Sequence, residues 1–202
     1  MKLYYSPGAC SLSPHIVMRE AGIPVQLVKV DLQAKKTEDG TDFRTINSKG
    51  YVPTLELPDG QRLTEGPAIV QYIADQAPAR GLAPASGTIE RYRLQEWLNF
   101  ISTELHKQFS PLFDPASEAT LKTRQVEGIG TRFDWITKQL GSRDYLMGSA
   151  FTVADAYLFT VLGWAKYVDI DLAKWPVLAA YAARVSQRPQ VREALKAEGL
   201  LN

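Results

Sequence analysis

One cysteine and two histidines occur in 202 residues. A lone thiol, Cys10, excludes an internal disulfide and any cysteine-rich metal site. Neither charge is in excess: 23 Lys and Arg stand against 22 Asp and Glu, a net charge of +1. That balance argues against a nucleic-acid partner, which would need a cationic face to neutralise phosphates. No apolar run approaches the length of a membrane span. The opening residues, Met1 to Pro7, lack the apolar stretch of a signal peptide. Internal repeats and low-complexity tracts are also missing. The chain therefore reads as cytosolic, with neither membrane nor nucleic acid among its expected partners.

What is present is ordinary globular material, 45% apolar and 22% charged. At this length roughly 70% of the extended surface can be buried, enough for a core without staples. The texture changes once along the chain. Residues 1–77 mix short strands and helices. Lys2 to Tyr5 reads as a strand, and Leu12, Ile16, Val17 and Ala21 have helical spacing before the stop signals Gly22 and Pro24. Val25 to Val30 reads as a second strand. A short helix is expected within Asp42 to Ser48. Thr54 to Leu57 and Arg62 to Thr64 flank Asp59-Gly60, a hairpin signal. Pro67 suits a helix first turn. The order is βαβαββα. Residues 78–87, with Pro78, Gly81, Pro84 and Gly87, read as a linker.

Residues 88–202 are expected to be helical throughout. Ile89, Tyr92, Trp97, Phe100, Ile101, Leu105 and Phe109 trace one long amphipathic helix. Val126, Ile129, Phe133, Ile136 and Leu140 trace a second. Thr152-Val153-Ala154-Asp155 has the form of a capping box, opening an apolar helix. Further helices start at Trp175-Pro176 and near Gln190. The fold class is α/β plus all-α.

Cys10 follows a strand and loop at the start of a helix, where unpaired amides and the helix dipole favour a thiolate. A helix terminus contributes about 0.3–1 kcal/mol. Lowering a thiol from about 8.5 to about 6.5 needs roughly 2.7 kcal/mol, so a second donor is required. The alternative is a small buried filler. Cys10-Ser11-Leu12-Ser13 has redox C-x-x-C spacing with serine as the second member, which leaves only mixed disulfides with an external thiol. A cis bond at Val52-Pro53 would expose the Val52 amide and carbonyl to a peptide-like ligand. Glu65-Gly66-Pro67 lies at a strand-to-helix turn, where the Gly66 amide can bind a carboxylate and Glu65 an ammonium; routine capping is the alternative. In an α-helix the seven steps from Asn99 to His106 turn about 700°, so the two point the same way, with Thr103 between them. This stripe is either a solvated face or a polar wall from which His106 donates to a thiolate. His15 reads as structural. Lys35 is an ordinary surface lysine unless a carboxylate lies beside it.

Five segments in order resemble the glutathione transferase family, and closely its bacterial beta class. They are Tyr4-Tyr5-Ser6-Pro7-Gly8-Ala9-Cys10-Ser11, Gly50-Tyr51-Val52-Pro53, Thr64-Glu65-Gly66-Pro67-Ala68-Ile69, the helix from Asn99 to His106, and Thr152 to Asp155. The resemblance covers essentially the whole chain. It implies a thioredoxin-like N-terminal domain, an all-helical C-terminal domain and a homodimer. It also implies glutathione as co-substrate with no metal, and a small hydrophobic electrophile as second substrate. Carried over by residue, it sets Cys10 beside the glutathione sulfur and has His106 polarise that region. Val52, before a cis Pro53, pairs with the cysteinyl unit. Glu65 and the Gly66 amide take the γ-glutamyl end, and Lys35 the glycyl carboxylate. Asn99, Thr103 and Glu104 match further binding positions. Gly66 departs from the serine of many relatives, which removes a hydroxyl donor. Phe109, Phe113, Trp164 and Tyr167 are candidates for the electrophile pocket, although core packing explains such aromatics equally well. The implied reaction is conjugation to aromatic or halogenated compounds. Glutathione-dependent disulfide exchange, reductive dehalogenation through Cys10, and a non-catalytic binding protein stand as alternatives.

Overall fold

Leu3 and Tyr4 are adjacent and both buried, so the strand that carries them must be covered on both faces. This strand, β1 (Lys2–Tyr5), is the centre of a five-stranded sheet. The computed structural model describes residues 1–201. After β1 come α1 (Leu12–Ala21), β2 (Gln26–Asp31), β3 (Lys36–Thr37), β4 (Thr54–Glu56), β5 (Arg62–Thr64) and α2 (Gly66–Gln76). The sheet order is β3-β2-β1-β4-β5, with β2 parallel to β1 and the other pairings antiparallel. Gly60, at φ +84°, closes the β4–β5 hairpin as the Asp-Gly pair requires. The short helix expected at 42–48 shrinks to a single 3-10 turn, Phe43–Thr45, capped by Asp42, which accepts the Arg44 amide at 2.9 Å. On one face of the sheet Tyr4, Val30, Phe43 and Val52 form a cluster. On the helical side α1 packs against α2.

The chain divides into two compact units. The first is Met1–Ala83 together with the residues from Gln187 onward; the second is Pro84–Ser186. The break falls within 78–87. The last helix, α8 (Pro189–Ala197), packs on α1 and so joins the first unit, whereas the composition change extends the helical half to 202. The physical reason is specific pairing. Arg188 grips Glu20 with two bonds of 2.7 and 2.8 Å, and Val191 and Ala194 are fully buried.

The second unit contains α3 (Ile89–Phe100), α4 (Lys107–Phe113), α5 (Ala119–Leu140), α6 (Val153–Leu162) and α7 (Pro176–Ser186). The segment joining α3 to α4, Ile101–His106, is wound as a π-helix. The buried face of this long run is Leu94, Leu98, Ile101, Leu105 and Phe109; Ile89 and Tyr92 lie exposed, which corrects the phase expected for its first turns. In α5 the buried positions are Ile129, Phe133, Ile136 and Leu140, spaced four, three and four, while Val126 is exposed. Each such burial contributes about 1.5–3 kcal/mol. Helix α6 is buried nearly all round, as an apolar helix must be. Thr152 and Asp155 close its capping box. Asp155 accepts the Thr152 amide, the Thr152 hydroxyl and the Leu146 amide, each at 2.8 Å, and the Tyr181 hydroxyl at 2.9 Å. Burial pushes its carboxyl up, and those four donors oppose the shift. Among the described residues, no helix is long and apolar enough to cross a membrane.

Candidate active site

Strand register brings four distant segments to one end of the sheet. Tyr4 pairs with Thr54, and Thr54 with Thr64. Because β4 runs against β1 and β5, the exit of β1, the entry of β4 and the exit of β5 lie side by side. Strand β2 runs parallel to β1, so its exit lies there too. Those four points lead to Cys10, Val52, Glu65 and Lys35.

Cys10 is half-buried, just before Ser11, the N-cap of α1. The loop that carries it closes on itself: Ser11 Oγ accepts the Ser6 amide at 3.1 Å and donates to the Ser6 carbonyl at 3.2 Å. The Cys10 Sγ donates to the Val52 carbonyl at 3.2 Å. Val52-Pro53 is cis. Among the described residues, the Val52 amide meets no acceptor, so this short extended stretch still has a donor to offer.

Glu65 is exposed and forms an ion pair with Lys49, whose Nζ also donates to Thr64 Oγ1 at 3.0 Å. The Gly66 amide is among the first-turn donors of α2 that no helical carbonyl serves. A Cβ on Gly66 would meet nothing within 4 Å, so the backbone would admit serine there. Lys35 donates from Nζ to the Gly50 carbonyl at 3.1 Å, with Tyr51 5.7 Å away beneath it. Among the described residues, three other than glycine have positive φ: Lys35, Glu65 and Asp169. The first two are sequence-predicted ligand contacts, and such strain concentrates where function holds it in place.

In the second unit His106 Nδ1 lies 2.6 Å from the Tyr157 hydroxyl, and its ring packs edge-on to Trp164 at 4.7 Å. The π-helical winding turns fewer degrees per residue than an α-helix. The alignment of Asn99 with His106 that α-geometry predicts is therefore lost. Asn99 and Thr103 are exposed, and Thr103 Oγ1 bonds back to the Asn99 carbonyl at 3.0 Å. His106 is half-buried against α6. Glu104 pairs with Arg132 at 2.9 Å. Phe109, Phe113 and Trp164 form one aromatic cluster with centroids 5.6 to 6.4 Å apart. Phe109 is entirely core, whereas Phe113 is 48% exposed. Tyr167 is 57% exposed and carries Lys166 over its ring at 4.8 Å instead of joining that cluster.

Sequence reasoning missed Tyr157 and Lys49. A hydroxyl within the apolar run of α6 was the one available sign of the first. Nothing local marks the second.

Family models match both parts of the chain. The one described as glutathione S-transferase, N-terminal domain matches residues 8–76, and the C-terminal domain matches 100–189. Glutathione S-transferase GstA of Escherichia coli O157:H7 is 47% identical over 200 residues, covering 99% of this chain and all of that protein. A sphingomonad glutathione S-transferase solved in complex with glutathione is 53% identical over the full length of both chains, with a TM-score of 0.96. A bacterial beta-class enzyme from Sphingomonas chungbukensis is 50% identical, again over both full chains, with a TM-score of 0.97.

Proposed function

The chain belongs to the glutathione S-transferase family, and on that premise we propose that it conjugates the glutathione thiolate to small apolar electrophiles, aromatic or halogenated. The observation that carries this reading is Cys10 Sγ at 3.2 Å from the Val52 carbonyl, beside an unserved Val52 amide. A peptide laid along Val52 pairs with it as an added strand would, and its sulfur then lies next to Cys10. The three charged ends of the tripeptide have complementary groups at the same sheet end. Glu65 takes the ammonium, the Gly66 amide the γ-glutamyl carboxylate, and Lys35 the glycyl carboxylate. Holding both carboxylates and the ammonium fixes the thiol by remote binding energy. His106 keeps the polarising role that the family resemblance gives it. Asn99, Thr103 and Glu104 keep their proposed binding roles, and Phe113 and Trp164 offer apolar surface to the electrophile. In keeping with that resemblance, the protein acts in the cytoplasm as a homodimer.

Partial exposure of Cys10 supports a second reading. Its thiolate attacks the glutathionyl sulfur of a mixed disulfide and releases the other thiolate. A glutathione thiolate then attacks Cys10–S–SG, freeing Cys10 and leaving oxidised glutathione.

A panel of aryl halides, epoxides, disulfides and chlorinated acids, each with glutathione, tests both readings. Conjugate formation supports the first, and a Cys10–glutathione adduct that turns over supports the second. No glutathione-dependent turnover with any of them overturns both.

A further inference from the structure

Gly8, two residues before Cys10, donates its amide to Glu198 Oε2 at 2.9 Å. The other oxygen of that carboxylate, Oε1, lies 2.8 Å from His15 Nδ1. Both side chains are fully enclosed. On the far side of the imidazole, Arg19 Nε lies 3.4 Å from His15 Nε2. A guanidinium only donates, so Nε2 is the bare nitrogen and the ring proton is on Nδ1. In that arrangement His15 donates from Nδ1 to Glu198, whose two carboxyl oxygens face two donors, the imidazole and the Gly8 amide. The chain of bonds runs from Arg19 through His15 to Glu198, and ends on the backbone of the loop that carries the thiol. Leu200 covers the same spot: a Cβ on Gly8, which has φ +71°, would lie 3.5 Å from the Leu200 side chain.

From this we infer that Glu198, just past α8, is a positioning residue for the thiol. One end of the Ser6–Ser11 loop is tied by Ser11, and Glu198 holds its middle at Gly8. Together they fix where Cys10 presents its sulfur to Val52. A buried carboxylate is costly to keep unless its partners are in place, so this tie is rigid. The inference rests on the transferase reading.

The test compares Glu198→Met, which removes both acceptors at similar size, with Glu198→Gln, which keeps one acceptor oxygen. Arg188→Met is the control. It breaks a different tie between the C-terminal segment and α1, the two bonds to Glu20. With every variant well below its melting temperature, E198M is expected to lower kcat about 10- to 100-fold with KM for glutathione unchanged. Alkylation of Cys10 by iodoacetamide should quicken. E198Q should move both readouts part of the way back toward wild type, and R188M should lower the melting temperature alone. If E198M does not fold, E198Q against R188M carries the comparison. Wild-type kcat and alkylation rate in the Glu198 variants would overturn the inference. So would an equal loss of kcat in R188M, which would mean that docking of the segment alone matters. A wild-type protein with no glutathione turnover would sink the transferase reading instead, and Cys10 alkylation would still report on Glu198.

Discussion

The Cys10 thiol points at the Val52 carbonyl from 3.2 Å. A thiol can donate that bond and a thiolate cannot, so the contact favours the protonated form. In the proposed binding mode glutathione competes for the same stretch of backbone and takes this partner from Cys10. Cys10→Ala should therefore impair chemistry more than binding, with kcat falling about 10²-fold and KM for glutathione nearly constant. Steady-state kinetics check this, and a kcat that survives the substitution removes Cys10 from the reaction.

His106→Ala should raise the apparent pH optimum of turnover, because the group proposed to polarise the sulfur is gone. Tyr157→Phe should shift it the same way by less, since the Tyr157 hydroxyl sits 2.6 Å from Nδ1 and orients the ring. Superimposable pH–rate profiles for wild type and H106A would refute the role.

Glu65 is paired with Lys49, and in the proposed binding mode the ammonium of glutathione takes the place of Lys49. Surface pairs of this kind are worth about 0.2–1 kcal/mol. Lys49→Met should accordingly lower KM for glutathione by up to about fivefold, and Glu65→Gln should raise it. An unchanged KM in E65Q would show that this carboxylate holds no ammonium.

Asp155→Asn puts an amide NH2 where one carboxylate oxygen accepts a backbone N–H, Leu146 at Oδ1 or Thr152 at Oδ2, so one of these donors meets another donor. The expected loss is about 3 kcal/mol, or about 6–12 °C in Tm for a chain of this length. Thermal unfolding reads it directly.

Glu56 lies below the usual carboxylate range, first because Lys2 donates to it at 2.9 Å and then through bonds from Arg62 and Tyr4. A carboxylate held low in the folded state contributes stability that is complete above the unfolded value of 4.5 and is lost as pH falls through the folded one. Glu56→Gln should thus be less stable than wild type at neutral pH and should lose less on acidification below about 4.5. Urea midpoints across that range decide it; parallel curves would exclude the contribution.

Much of the site could be read from local chemistry. Cys10 after a strand, Pro53 before one and Gly66-Pro67 at a helix start are each marked by the residues themselves. The first βαβ unit, the β4–β5 hairpin with its following helix, and the capping box at Thr152 follow from spacing and turn signals in the same way, whereas the two-residue strand β3 carried no such signal and the helix expected at 42–48 is a 3-10 turn. Three features could not be read so. The π-helical winding of Ile101–His106 leaves no mark in a pattern that fits α-periodicity, and it moves His106 away from Asn99. The left-handed backbone at Lys35 and Glu65 falls on residues that rarely adopt it. The pair formed by His15 and Glu198 spans 183 positions; a buried histidine demands a partner, but nothing nearby in sequence names it.

Because the first unit is completed by residues from Gln187 onward, a ribosome must have made the whole helical unit before the thiol loop can acquire its carboxylate anchor. The helical unit, by contrast, is uninterrupted in the chain and can assemble while its neighbour waits. On the inference drawn for Glu198, cutting the chain between Ser186 and Glu198 would thus reach the chemistry of a loop that lies far back in the sequence.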